Sequence, residues 1–309
     1  MVIDVIVEAH EARFRELDPL LPRRDPLPDS LSGQMSVMVD GAVGYPRRIR
    51  VDADSSAADW SVLDQHRLVA RVGGLDPVAA MDALLTGWVE VVHAIATPED
   101  RDSAATIGWP SRDTAMTPLF IDRGMIPLRV MAVRQAGRPG PDVASPATIR
   151  PMADADLDAV VALHLEQIRW DRQFGGPQPR PGAAEVARRQ YSARLQRGDP
   201  WVWIAECDGR PVGMIAVTPP ESAGWVAGLS SASTPAYVGT TVVLAPQRAG
   251  GVGTALVARA HAALDREGVD LALLHYSSLN PLSAPFWHRC GYRPLWSWWS
   301  SSPASRLRL

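Results

Sequence analysis

The sequence predicts a mixed α/β protein built as two consecutive units. Three observations carry that prediction: a proline- and glycine-rich seam near the middle, strand and helix patterns alternating on both sides of it, and a recurring helix–glycine–strand ending. The seam is Gln135-Ala-Gly-Arg-Pro-Gly-Pro-Asp-Val-Ala-Ser-Pro-Ala147. Its prolines lack the N–H that a helix or an inner strand needs, so it reads as an extended connector. We place one unit at residues 1–135, a linker at 136–147 and a second unit at 148–309. Each is of ordinary domain size and long enough to bury a core.

The second unit is the more legible. Thr148–Pro151 reads as a short strand, after which Asp154 or Asp156 caps a helix carrying Leu157, Val160, Val161, Leu163 and His164 at helical spacing. The Gly/Pro-rich stretch Phe174–Gly182 is a loop before a helix over Ala183–Gln196. Trp201–Cys207 and Pro211–Val217, joined by Asp208-Gly209, form a hairpin. Residues 218–235 are rich in Ser, Gly and Pro and read as a loop. Tyr237–Leu244 is a strand, Gly253–Glu267 a helix ended by Gly268, and Val269–Tyr276 a strand. Pro281–Arg289 is a helix closed by Gly291, and Tyr292–Ser300 is the last strand.

In the first unit, helices are expected near Ile6–Leu17 and Pro77–Ala96, and strands near Met35–Val39, Arg48–Asp52 and Leu68–Val72. Its end is clearer: strand Ala104–Ile107, helix Asp113–Arg123, Gly124, then strand Ile126–Val133. That end, Asp113-x-x-Met116-x-x-Leu119-Phe120-x-x-x-Gly124-Met125, matches the spacing of Asn280-x-x-Ser283-x-x-Phe286-Trp287-x-x-x-Gly291-Tyr292. The recurrence points to a tandem duplication.

Composition narrows the classes. The formal net charge of -3 and pI of about 6.2 give no electrostatic footprint for a nucleic acid or an anionic membrane surface. Cys207 and Cys290 cannot build a disulfide framework, and no Cys/His set has zinc spacing, so no metal is expected. Acids within Met1–Glu8 argue against a signal peptide, and no apolar run approaches the ~20 residues of a membrane span. The expectation is a cytoplasmic globular protein. Every basic residue is arginine, so no acyl group can be carried on a lysine of this chain.

The segment from Thr240 to Leu256 carries the chemistry. An apolar strand runs into Pro246, then through Arg248, Ala249, Gly250, Gly251, Val252, Gly253 and Thr254 into a helix. Backbone N–H groups at such a turn converge on an anion, and the helix dipole favours it there. Glycine lets a phosphate approach the backbone. No Gly-Lys-Ser/Thr is present, so the turn is not a Walker loop.

Arg248-x-x-Gly251-x-Gly253 after a strand resembles the pyrophosphate loop of the GCN5-related N-acetyltransferases, the GNAT superfamily. Asn280…Phe286-Trp287…Gly291-Tyr292 is similar to that family's last-helix signature. The resemblance covers about 148–300 and implies two tandem GNAT-like domains, each a mixed, mostly antiparallel sheet flanked by helices. It implies acetyl-CoA, or another acyl-CoA, held between Tyr237–Leu244 and Val269–Tyr276. Backbone groups of Val242, Val243 and Leu244 would meet the pantetheine and amides from Arg248 to Thr254 the pyrophosphate. Asn280, Ser283, Phe286 and Trp287 would lie along the cofactor. In the first half, Arg71-Val-Gly-Gly-Leu-Asp76-Pro77 lacks the glycine spacing, and Asp76 brings negative charge, so that half reads as a degenerate copy.

Acetyl transfer to an amine needs a neutral nucleophile, hence a base or a water relay. The position the family often fills with Glu is Tyr237, and the position of its thiol-protonating tyrosine is Trp287. His275 and Tyr237 are the candidate base positions. Ser283, one turn before Trp287, is the candidate partner of the departing sulfur, with Tyr276 and His288 as others. Glu206 and Glu221 are weaker bases by position, and Glu166 and Asp171 before the 174–182 loop can hold an ammonium. The expected function is N-acetylation of a small-molecule amine in a ternary complex, by a monomer or homodimer without nucleic-acid or membrane partners. The rivals are a non-catalytic acyl-CoA sensor, a partner-binding protein, and a transferase using a longer acyl-CoA or an acyl carrier protein.

Overall fold

The computed structural model describes residues 2–23, 35–141 and 144–309. Residues 142 and 143 of the expected linker lie outside the described residues. The first half runs α1 (Val2–Leu17), β1 (Val37–Val39), β2 (Ala42–Arg50), β3 (Asp64–Val72), α2 (Pro77–Ile95), β4 (Ser103–Pro110), α3 (Thr117–Asp122) and β5 (Ile126–Gln135). The second runs β6 (Thr148–Pro151), α4 (Leu157–Arg172), α5 (Ala183–Gln196), β7 (Val202–Cys207), β8 (Arg210–Thr218), β9 (Pro235–Val243), α6 (Val252–Arg266), β10 (Leu271–Ser277), α7 (Ser283–Arg289) and β11 (Arg293–Ser301).

Local chemistry accounts for the punctuation. Gly124 and Gly291 follow α3 and α7 with φ of 75° and 88°, the left-handed conformation that ends a helix. Asp208 and Gly209 both have positive φ, as a two-residue hairpin between right-twisted strands requires. The duplication is visible in the order β3–α2–β4–α3–β5, which recurs as β9–α6–β10–α7–β11.

All strands join one 11-stranded sheet, ordered β1-β2-β3-β4-β11-β5-β10-β9-β8-β7-β6. Neighbours are antiparallel except β3 with β4 and β9 with β10. The mixed, mostly antiparallel sheet flanked by helices is therefore present, but the two halves share it. Each half lends its last strand to the other. β11 lies between β4 and β5, and β5 lies between β10 and β11. The exchange is driven by burial: Leu295, Trp296 and Trp299 of β11 enter the same core as Phe14, Trp109 and Phe120 of the first half.

Helices cover both faces of the second half. Val160, Val161, Leu163, Ala187 and Tyr191 of α4 and α5 pack on Val202, Ile204, Met214 and Ala216. Alternate residues Trp203, Ala205, Ile215 and Val217 face α6 instead. In the first half, Ile6 of α1 meets Val43 and Tyr45, while α2 buries Met81, Leu84, Leu85 and Trp88 on the other face. By length and composition α2 could cross a bilayer, contrary to the reading that no apolar run comes close. It is here the central helix of the first-half core.

Both parallel pairs open part-way along. β9 and β10 pair from Pro235–Val238 with Leu271–Leu274 and no further, and β3 and β4 pair from Asp64–Leu68 with Ser103–Ile107. In β9 the register against β8 jumps between Thr241 and Val238, a bulge that bends the strand away from β10. These two openings are the places where the halves can differ in function.

Candidate functional site

The second-half opening presents a strand edge that, among the described residues, no other strand pairs. Leu244 donates its N–H to Val212 of β8, so by alternation Thr241 and Val243 face the opening. Of the expected contacts Val242, Val243 and Leu244, Val243 alone turns its backbone to this edge. Two side chains hold the edge from outside. Gln167 Oε1 accepts from Thr241 N at 3.0 Å, and Arg248 Nε donates to the Val243 carbonyl at 3.0 Å. The Arg248 guanidinium lies 4.1 Å above the Trp170 ring, where cation–π attraction holds it folded over α4. It is thus turned to the strand and to Trp170, rather than placed among the loop amides as expected.

The edge leads directly into the predicted loop. Ala249 and Gly251 have φ of 62° and 81°, and Gly251 immediately precedes α6. The first-turn amides of α6, including those of Val252, Gly253 and Thr254, have no acidic side chain among them. A Cβ on Gly253 would lie in ordinary contact with the Phe286 ring at 3.4 Å and with Val243 at 3.6 Å, so this position faces α7 and β9 across the groove. Trp287 is buried against Phe286 and Tyr292 and serves as packing. Ser283 starts α7, half-buried. Near α7, Tyr276 Oη and His288 Nε2 are 3.2 Å apart, and burial raises the Tyr276 phenol above its ordinary pKa. These residues suit an acyl-CoA: an open edge for the amides of the pantetheine arm and an uncapped, glycine-lined helix start for the pyrophosphate.

The first-half counterpart is filled by the chain itself. His10 Nδ1 accepts from Val72 N at 3.2 Å, capping the β3 edge that faces its opening. The Phe14 ring centroid lies 5.7 Å from Trp109 and 5.6 Å from Trp296. At the start of α2, the Asp76 carboxylate accepts from Val78 N at 3.1 Å and Ala79 N at 3.0 Å. The helix start that would hold a phosphate thus already holds a carboxylate.

On the β10–β11 side of the second-half opening, four rings form a wall. Tyr237 Oη and His275 Nδ1 are 3.1 Å apart. Trp225 stacks parallel to His275 with centroids 6.3 Å apart and edges onto Tyr237 at 4.7 Å, and Trp298 of β11 lies 5.1 Å from His275. Loss of solvent around the phenol pushes Tyr237 up to about 12, against a smaller opposing effect of Arg129. Desolvation, with Arg129 nearby, depresses His275 to about 3. At neutral pH the pair is a protonated phenol and a neutral, weakly basic imidazole. It can shape and hydrogen-bond an acceptor, but neither ring suits the work of a general base.

Asp171 does suit it. It sits at the end of α4, with Gln167 Nε2 3.5 Å from its Oδ2 and the Asn280 amide facing the same carboxyl. Gln167 thereby links Asp171 to that edge of β9. Burial raises its pKa above the usual carboxylate range, outweighing Gln167, Arg129 and Asn280. The following loop is anchored to the strands by Ser277 Oγ donating to the Phe174 carbonyl at 2.8 Å. Glu206 is engaged elsewhere, on Arg150 at 2.8 Å. A cleft of about 470 Å³ between the halves is lined by Ile126, Leu128, Gly176, Gln178 and Ser300 among others, but by neither Asp171 nor the four rings.

Two first-half contributions had no signal in the local sequence. One is Arg129 of β5, opposite Ser277 on β10 and Trp298 on β11. The other is Asp59, whose buried carboxylate lies 3.3 Å from His164 Nε2, while His164 Nδ1 is 3.2 Å from Tyr191 Oη. Asp59→Ala would strand the imidazole of His164. We expect a stability loss of about 1–3 kcal/mol, read as a shift in the urea unfolding midpoint.

Fold and site together define an acyltransferase scaffold, with a splayed parallel strand pair opening onto a glycine-rich helix start. Residues 164–292, most of the second half, match the model of the Acetyltransferase (GNAT) family. A GCN5-related N-acetyltransferase from Sphaerobacter thermophilus is similar with a TM-score of 0.53 at 16% identity, covering 87% of this chain and 79% of that one. A GCN5-related N-acetyltransferase from Kribbella flavida is similar with a TM-score of 0.47 at 17% identity, covering 89% and 92%. A tandem GNAT protein from the clavulanic acid biosynthesis pathway is similar with a TM-score of 0.43 at 17% identity, covering 77% and 75%. At these identities the likeness concerns the fold. No curated protein matches the chain by sequence.

Proposed function

We propose that the second half N-acetylates a small amine, with Asp171 taking the proton the amine must lose. The observation that supports this reading most is the continuity of the site. The unpaired strand edge at Thr241 and Val243, held by the side chains of Gln167 and Arg248, leads at one end into Gly251 and Gly253 and lies beside Asp171 through Gln167. Acetyl-CoA would supply the acyl group as a thioester. Val243, the loop amides from Arg248 to Thr254, and the groove beside Phe286 would hold it. Arg248 is close enough to swing from Val243 toward a phosphate. Asp171 accepts a proton from the ammonium of the acceptor, and Asn280 steadies its carboxyl; Tyr237 and His275 orient the acceptor and exclude water. In this reading the first half is a degenerate copy that binds no CoA.

Calorimetric titration of acetyl-CoA tests the cofactor site. The parent protein is expected to bind, and Gly251→Glu and Gly253→Glu to lose at least ~100-fold in affinity, because each puts a carboxylate at a helix start proposed to hold an anion. Gly251→Glu also forces a side chain into the left-handed region at a cost of roughly 1–2 kcal/mol, so a melting curve must accompany it. A folded parent that does not bind acetyl-CoA but binds a longer acyl-CoA or an acyl carrier thioester would replace the acetyl assignment. Binding without turnover on an amine panel would favour the sensor.

A further inference from the structure

We infer that the acceptor carries a carboxylate as well as its amine, and that Arg129, supplied by the first half, binds that carboxylate. The inference rests on the acyl-transfer reading above and names its acceptor class. Strand exchange is what makes the contribution possible. β5 is inserted between β10 and β11, so Arg129 stands between Ser277 and Trp298, beside the ring wall of the acceptor site.

The guanidinium is conspicuous for what it lacks. On the same strand Arg134 is paired with Asp265 at 3.3 Å, and on β11 Arg293 is paired with Asp18 at 2.5 Å. Among the described residues no carboxylate lies within 4.0 Å of Arg129, and it has no hydrogen-bond partner there. Its charge is nevertheless felt by Asp171, Tyr237 and His275, and desolvation acts on it strongly enough to lower its own pKa. A half-buried, always-charged group without a counter-ion is costly, and the cost falls when a ligand brings the missing anion.

The arrangement around it sets the ligand's chemistry. Asp171 is near enough to interact with Arg129 through space but too far to pair with it. The site therefore offers one unpaired cation and one available carboxylate, separated, with Trp225, Tyr237, His275 and Trp298 alongside. The complement is a zwitterion with an apolar body: an amino acid whose ammonium goes to Asp171, whose carboxylate takes the planar fork of Arg129, and whose side chain lies on the rings. A carboxylate matches a single guanidinium in both geometry and charge. A phosphate dianion would bring an uncompensated negative charge toward Asp171.

The test is a binding experiment on the full chain, independent of turnover. N-acetyl-L-phenylalanine and its amide are titrated calorimetrically, with and without CoA. The acid is expected to bind at least ~10-fold more tightly than the amide, as charge-assisted pairing allows. Arg129→Gln is expected to remove that preference while leaving the affinities for the amide and for CoA unchanged. If Arg129→Gln does not fold, Arg129→Lys is read instead; it keeps the charge but loses the fork, and should weaken the acid several-fold. Equal binding of acid and amide, no binding of the acid at millimolar concentration, or a preference that survives in the variants would overturn the inference. Failure of CoA to bind the parent would refute the cofactor assignment instead, and the acid–amide comparison would still be readable without it.

Discussion

Asp171→Asn is expected to lower the rate of acyl transfer by about 100-fold or more while leaving acetyl-CoA affinity within two-fold of the parent. A positioned general base contributes roughly 10²–10⁴-fold. The asparagine keeps the shape, accepts from Gln167 or Asn280 through its one oxygen, and cannot take a proton. The pH profile separates a base from a structural group. Burial raises the pKa of Asp171, so its basic form is lost as pH falls through a value above the ordinary carboxylate range. The parent should show an acidic limb in kcat/KM at that raised value, and Asp171→Asn should lack it. The alternatives on the same wall make different predictions. With Tyr237 protonated up to about 12 and His275 neutral down to about 3, neither places a limb in the working range. His275→Gln and Tyr237→Phe should therefore alter KM for the acceptor more than the position of the limb. A limb that survives in Asp171→Asn would move the base elsewhere.

Residues 148–309 expressed alone are expected to fail to form a stable native fold, despite containing the whole match to the family. The reason is β5. It pairs with β10 from Arg129 to Gln135 and with β11 from Ile126 to Val133, and without it those two strands lose their shared neighbour. Val130 and Ala132 also leave the second-half core, and β11 loses β4 on its other side. Unpaired ladders and exposed apolar surface of this size exceed the margin of an ordinary domain, ~5–15 kcal/mol. Circular dichroism and a thermal melt should show a loosely folded or aggregating fragment. Co-expression with residues 1–135 should restore a cooperative transition and acetyl-CoA binding. A fragment that melts cooperatively alone and binds acetyl-CoA would show that the exchange is dispensable.

Legibility in the sequence followed the range of the interactions. The helix over Ala183–Gln196 was read to the residue because its spacing and flanking glycines are local facts. The first half was read less well: β2 begins at Ala42, well before the expected Arg48, because Gly44 packs on α2 and Tyr45 on α1, one helix on each face, so its residues do not alternate apolar with polar. Asp76 was legible as a charge in the wrong place, and the structure shows it capping α2. His275 and Tyr237 were singled out from their positions on the strands, and they do meet at 3.1 Å, but their protonation follows from burial that no spacing encodes. Arg129 carried no signal at all, since nothing in Ile126–Gln135 says which strand it will lie beside.

By itself, the sequence determined the family match of the second half, the glycine loop, the opposed character of the two helix starts and the repeated ending of the halves. All of these depend on residues close together along the chain, where backbone φ, capping and periodicity act. Tertiary structure alone decided that the halves share one sheet, that α1 plugs the first opening, and that Asp171, Arg129 and the four rings surround the second. Those outcomes depend on which apolar faces bury each other across long separations, and on the loss of solvent around charges brought together there.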